Sequence, residues 1–261
     1  MTDENSIQVR NAGRLRRLIE LHADADVVIG WLEDDFHHFG VTLRHGNGRI
    51  VDVSAVAIRA PWTTCAGASI PLQALVGQPL IGRASDIGRL IDMRLQCTHI
   101  FDLAGLAIAH AWHGRGVRRY EAIVPDRAAA QENENPRKTA VVEAMLTCDG
   151  ALVQAWRIDE DHIVGPANLA GRPLDRGFRA WTEALPVDEA EYAFVLRRAI
   201  FVSGGRGVDL DALGKADETG LPFVCHSLQP AQRLHALRNR GNTRDYAASS
   251  EGMLAFRHSQ R

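Results

Sequence analysis

Phe36-His37-His38-Phe39-Gly40-Val41-Thr42-Leu43-Arg44-His45-Gly46-Asn47-Gly48-Arg49-Ile50-Val51-Asp52-Val53-Ser54-Ala55 is the stretch that decides the fold. The run 36–45 alternates, placing His37, Phe39, Val41 and Leu43 on one face of a strand. Gly46-Asn47-Gly48 is a tight-turn signal, because Asn and Gly accept positive φ more readily than other residues. The run 50–59 returns as a second strand, with Ile50, Asp52 and Ser54 on one face and Val51, Val53 and Ala55 on the other. Working outward, 15–23 and 27–32 read as two earlier strands, so 15–60 is an antiparallel meander.

Pro61 ends the meander, and helices are expected at 66–76 (stopped by Gly77 and Pro79), near 85–91, and at 98–112. The last has an apolar face of Ile100, Phe101, Leu103, Ala104, Ala107, Ile108 and Ala111. A strand at 117–124, a polar loop at 128–137, and a hairpin of 139–147 with 152–158 across Asp149-Gly150 open the second half. Helices at 175–184 and 188–202, a Gly- and Asp-rich loop at 203–222, and a tail carrying Arg233, Arg238, Arg240 and Arg244 complete it. The class is α+β: an antiparallel β-meander packed with helices, then a second β-hairpin and helices. The division is an arm (1–14), a first half (15–113) and a second half (114–261) packed on the first as one unit.

The 261 residues are 46% hydrophobic and 24% charged, an ordinary globular composition able to bury a full core. A net charge of -2 argues against nucleic acid as a partner. No apolar run approaches the roughly 18 residues of a membrane span, and the polar start Met1-Thr2-Asp3-Glu4-Asn5 does not read as a signal peptide. Cys65, Cys97, Cys148 and Cys225 are too scattered for a disulfide framework, so a cytoplasmic location with reduced thiols is expected. There is no phosphate-binding loop after a strand and no nucleophile elbow. Lys138 and Lys215 are the only lysines and stand in polar surroundings, unsuited to Schiff-base chemistry, whereas there are 11 histidines.

Four clusters carry an acid–base or metal-ligand inventory. In Glu33-Asp34-Asp35-Phe36-His37-His38, only His37 shares a face with Phe39. In Arg59-Ala60-Pro61-Trp62-Thr63-Thr64-Cys65, a threonine can cap the following helix, leaving Cys65 in a first turn where the helix dipole lowers a thiol pKa. In Cys97-Thr98-His99-Ile100-Phe101-Asp102, His99 and Asp102 are helix-surface neighbours, so the carboxylate can orient the imidazole. Cys225-His226 and Tyr120 add further polar candidates.

These motifs support two resemblances. The meander, Cys65, and Gln96-Cys97-Thr98 opening a helix resemble the SufE/NifU (IscU-like) scaffold over about 27–113. In that family three cysteines surround one metal or cluster; Cys65 and Cys97 match two by position, and the first would fall near Asp34 or Asp35. Asp34-Asp35-Phe36-His37, Pro61-Trp62-Thr63-Thr64-Cys65, Leu75-Val76-Gly77 and Cys97-Thr98-His99 also resemble an uncharacterised bacterial domain family. That resemblance implies a relation to enzymes that remove formaldehyde from lignin-derived dimers without a cofactor.

The expectation is therefore a cofactor-independent lyase acting on a small hydrophobic aromatic substrate. His37 or His99 is the base, Asp35 or Asp102 its orienter, and Cys97 a further catalytic candidate. Trp62 and Phe101 are walls, Arg59 a phenolate clamp, and Cys65, Tyr120 and His226 substrate-binding groups. No metal is expected; the alternatives are a zinc or iron–sulfur accessory protein using Cys65, Cys97 and His99, or a non-enzymatic binding module. A homo-oligomer is expected.

Overall fold

The computed structural model describes residues 13–127, 141–221 and 225–255. The polar loop at 128–137 and most of the arm at 1–14 lie outside these.

Strands β1 (Arg14–Asp24), β2 (Val27–Asp34), β3 (His38–Gly46) and β4 (Arg49–Arg59) form the first meander. Strands β5 (Val117–Pro125), β6 (Val142–Cys148), β7 (Ala151–Asp159) and β8 (His162–Gly165) form a second. Pairing of β1 with β5 splices the two into one antiparallel sheet of order β4-β3-β2-β1-β5-β6-β7-β8. The Asn-Gly and Asp-Gly turns do what their chemistry allows: Asn47, Gly48, Asp149 and Gly150 all have positive φ.

Between the meanders come α1 (Ser69–Leu72), α2 (Ile87–Leu90) and the long α3 (Thr98–Trp112). After the second come α4 (Phe178–Thr182), the long α5 (Val187–Ser203) and α6 (Pro230–Arg233). Helices α3 and α5 cover one face of the sheet, and the main core lies between: Leu15, Ile19 and Leu21 of β1, Phe39 and Val41 of β3, Ile100 and Leu103 of α3, and Leu196 of α5. Gly105 lets α3 approach closely, since a Cβ there would stand 2.5 Å from the Ala84 carbonyl oxygen. A smaller cluster of Leu18, Trp31, Met253 and Leu254 covers the opposite face of β1 and β2.

The helix expected at 66–76 is instead a chain of short turns: a 3-10 turn at Thr63–Ala68, α1, and another at Gln73–Leu75. Pro71 fits the first turn of α1 but has no N–H to donate, so one continuous helix over 66–76 would lack a bond at its middle. The helix expected at 175–184 starts only at Phe178, because Gly177 sits at φ 94°. Strand β8 was not foreseen; four residues show too few alternations to stand out. In β4 the expected alternation fails. Val51 and Ile58 are extra residues opposite β3, whose partners step from His45↔Ile50 to Arg44↔Asp52 and from Phe39↔Ala57 to His38↔Arg59. The first bulge puts both Ile50 and Val53 in the core. The second turns Arg59 to the outer face.

Candidate active site

Strand β2 ends at Asp34 and β3 begins at His38, so 34–37 form the hairpin turn. The Asp34 backbone N–H donates to the His37 carbonyl at 2.9 Å. Asp34 Oδ1 accepts from the backbone N–H groups of Phe36 and His37 and from His37 Nδ1, each at 2.9 Å. The turn that aspartate favours for local reasons thereby fixes an imidazole. With Nδ1 donating, Nε2 is the nitrogen that accepts a proton when the ring is neutral. Arg17 is the register partner of Asp34 and donates through Nη1 to Asp34 Oδ2.

Helix α3 lays His99 over His37, with ring centroids 3.8 Å apart and planes at 30°. Phe39 stacks on both at 5.7 and 6.0 Å, and Phe36 meets His37 edge-on at 6.1 Å. One turn along α3, Asp102 takes a two-point ion pair from Nε and Nη2 of Arg198 on α5. Between the inner face of the sheet and helices α3 and α5 thus lie two imidazoles, two carboxylates and two guanidiniums, flanked by aromatic rings.

Burial alone would raise the Asp34 carboxyl, but His37, Arg17 and the Phe36 N–H together hold it below the usual carboxylate range. Burial pushes His99 well below its ordinary value, and His37, Arg17 and Arg198 push it the same way. His99 is therefore a neutral imidazole. Its Nε2 is buried and has no partner among the described residues.

Comparison with known families bears on this region. The DUF2889 family model matches residues 28–112. That family is described as a protein of unknown function. No curated protein matches the chain. The DUF2889 span holds Asp34, His37, His99 and Asp102, but Arg17 precedes it on β1 and Arg198 follows it on α5. The cluster is therefore completed by parts of the chain on both sides of the DUF2889 span.

Several expected partners lie elsewhere. Asp35 does not orient His37; its carboxylate takes Arg206 Nη1 and, at 3.1 Å, the Tyr246 N–H. Burial raises the Asp35 carboxyl to about 6 despite both contacts. Asp102 is committed to Arg198 rather than to His99. Arg59 is no clamp: on the outer face it donates to Glu33 and to the carbonyls of Asp34, Asp35 and Asn242. His38 is buried on that outer face as well, 3.5 Å from Glu33 and edge-on to Trp31 at 5.8 Å. Tyr120 donates to Glu191, in a separate set with Arg115 and Arg118. Trp62 is buried in the core and bridges to Arg238, and Phe101 is buried on α3.

The threonines before Cys65 do not cap a helix. Thr63 Oγ1 accepts from the Leu237 N–H, and Thr64 Oγ1 donates to Ser227 Oγ at 2.9 Å. Burial raises the Cys65 thiol to about 11, against the pull of Ser227, so no dipole-activated thiolate forms there. Burial raises Cys97 too, helped by Cys65 and Cys225; its Sγ lies 3.9 Å from His99 Nδ1. Beside these thiols runs an open groove of about 650 Å³ whose lining includes Thr64, Ile70, Leu95 and His226. His226 therefore borders this groove rather than joining the stacked pair. Among the described residues, no three His, Cys, Asp or Glu side chains are placed to share a metal ion, and no helix is long and apolar enough to cross a membrane.

Proposed function

We propose that this chain is a cofactor-independent carbon–carbon lyase that removes formaldehyde from a lignin-derived aromatic dimer by acid–base catalysis. The observation that carries the reading is the stacked pair: His37, anchored through Nδ1 to Asp34, lies 3.8 Å from His99, which burial keeps neutral. An imidazole oriented by a carboxylate is suited to general-base work near neutral pH. The flanking Phe36 and Phe39 suit an aromatic guest.

In such a substrate the primary alcohol carbon is bonded to a carbon whose neighbour bears an aryl ether. His37 Nε2 takes the hydroxyl proton. The oxygen electrons close the C=O of formaldehyde, and the C–C bond breaks. Its electron pair forms the C=C of a stilbene, and the C–O bond leaves with its pair on the phenoxide. The proton then passes from the His37 imidazolium to the phenoxide oxygen. One alcohol-ether gives formaldehyde, stilbene and phenol, with nothing oxidised or reduced overall. Asp34 stabilises the transient imidazolium.

The test is release of formaldehyde from 1,2-diaryl-3-hydroxypropyl aryl ethers and their cyclic analogues. The expected result is stoichiometric formaldehyde and stilbene with the wild-type chain and a loss of 10²-fold or more, an order-of-magnitude figure, in H37A. No formaldehyde from any such dimer would sink the reading.

A further inference from the structure

Arg17 is 1% exposed, and among the described residues only its Nη1 has an acceptor, the Asp34 carboxylate. Its Nε and Nη2 are buried without a partner among the described residues. Those two N–H groups lie along one edge of the guanidinium, the fork that matches an oxyanion with two parallel hydrogen bonds. The other arginines near the stacked histidines are differently engaged. Arg198 meets Asp102 with both Nε and Nη2, and Arg59 donates to Glu33 and backbone carbonyls on the outer face. The choice of arginine over lysine is itself uninformative in a chain whose basic residues are all arginine but two; the unspent edge is the informative fact.

Two roles compete for Arg17. If it served only to neutralise Asp34, one donor would suffice, and burying the other two would be pure cost. If it receives a guest oxygen, the spare edge has a purpose. His99 Nε2, also buried without a partner among the described residues, belongs to the same cluster. His37, with 11% of its side chain exposed, marks where the cluster meets solvent. Arg17 and Arg198 balance Asp34 and Asp102 in charge. A proton taken up by His37 would leave this cluster one positive charge in excess, which a phenoxide offsets.

We infer that the Nε/Nη2 edge of Arg17 is the oxyanion receptor of the site and takes the phenolate oxygen as the aryl ether breaks. The inference rests on the lyase reading for its timing, but the receptor can be tested without turnover. The probe is 4-nitrophenolate, followed by its visible absorption at a pH where it is fully ionised, against the uncharged 4-nitroanisole. Wild-type chain should bind the phenolate at least tenfold more tightly than the anisole. R17K keeps a cation for Asp34 but lacks the fork, and the preference should vanish. The double variant R17M/D34N removes both charges together, so no charge is left unpaired, and should behave like R17K.

Turnover gives a second readout. Along a series of aryl ethers, R17K should lose most kcat on the least acidic leaving phenols, whereas H37A should lose evenly. Phenolate preference unchanged in R17K, an absence of phenolate preference in the wild type, or an even loss along the series overturns the receptor. Formaldehyde release with any of those results leaves the lyase reading standing without it. Arg17-dependent phenolate binding with no formaldehyde from any dimer does the reverse.

Discussion

Asp34 holds His37 twice through a single oxygen: Oδ1 accepts both the backbone N–H and the ring Nδ1–H of His37, each at 2.9 Å. The residue that closes the hairpin is also the one that aims the base. Replacing Asp34 therefore has a structural and a catalytic effect. D34A leaves Arg17 as an unpaired buried cation and should cost about 3–5 kcal/mol in urea unfolding. R17M/D34N should cost clearly less, because no charge is stranded. Equal costs would mean that the pair is not coupled.

For activity, D34N and D35N should separate sharply. D34N disturbs the tautomer and orientation of His37, and formaldehyde release should fall by about 10²-fold or more. Asp35 is held by Arg206 and Tyr246, away from the imidazole, so D35N should stay within about threefold of wild type, the size of a minor perturbation. The comparison is a steady-state assay of the two variants side by side.

Acid should destabilise the chain through His99. Its folded pKa is depressed, so below about 6.5 the unfolded chain binds a proton that the native chain refuses. Stability attributable to His99 is thus present above that pH and lost as pH falls, by about 1.4 kcal/mol per pH unit. Asp35 acts with the opposite sign. Its folded pKa is raised to about 6, so its stabilising proton is present at low pH and lost as pH rises through about 6. The two contributions oppose each other between about pH 4.5 and 6, so urea midpoints there should rise more steeply with pH in D35N and should fall with rising pH in H99F.

Cys65 should be an inert thiol. With its pKa raised to about 11, its thiolate fraction at pH 8 is about a hundredth of an ordinary cysteine's. Mass spectrometry after brief iodoacetamide treatment of the folded chain should find Cys65 unmodified. Rapid labelling there would revive a thiolate role. C65S should retain formaldehyde release, and so should wild-type chain treated with a chelator.

Much of this arrangement was legible in the sequence, and what escaped did so for identifiable reasons. Alternation around Phe39 correctly placed His37 beneath the sheet, and the spacing of apolar residues located the whole of α3 with His99 at its start. Carried one strand back, the same alternation would have found Asp34, which falls in step with Val28 and Leu32, and Arg17, which stands among Leu15, Ile19 and Leu21. A charge on the apolar face of a strand was the overlooked signal. Arg59 failed because the bulge at Ile58 reverses its side, and no residue pattern announces a bulge. The Asp102–Arg198 pair joins residues 96 positions apart, which is a tertiary fact with no local trace.

The hairpin that sends Asp34 and His37 inward and Glu33 and His38 outward also sets a rule for chain length. The two sets are interleaved in phase along β2 and β3. A single-residue insertion or deletion at the start of β3 would exchange them, bringing His38 under the sheet and expelling His37. The four-residue span 34–37 therefore tolerates changes of identity more readily than changes of number. In β4, by contrast, Val51 and Ile58 already stand as extra residues opposite β3. Length variation in this half of the sheet has its natural home there, at the edge, and not at the turn that carries the base.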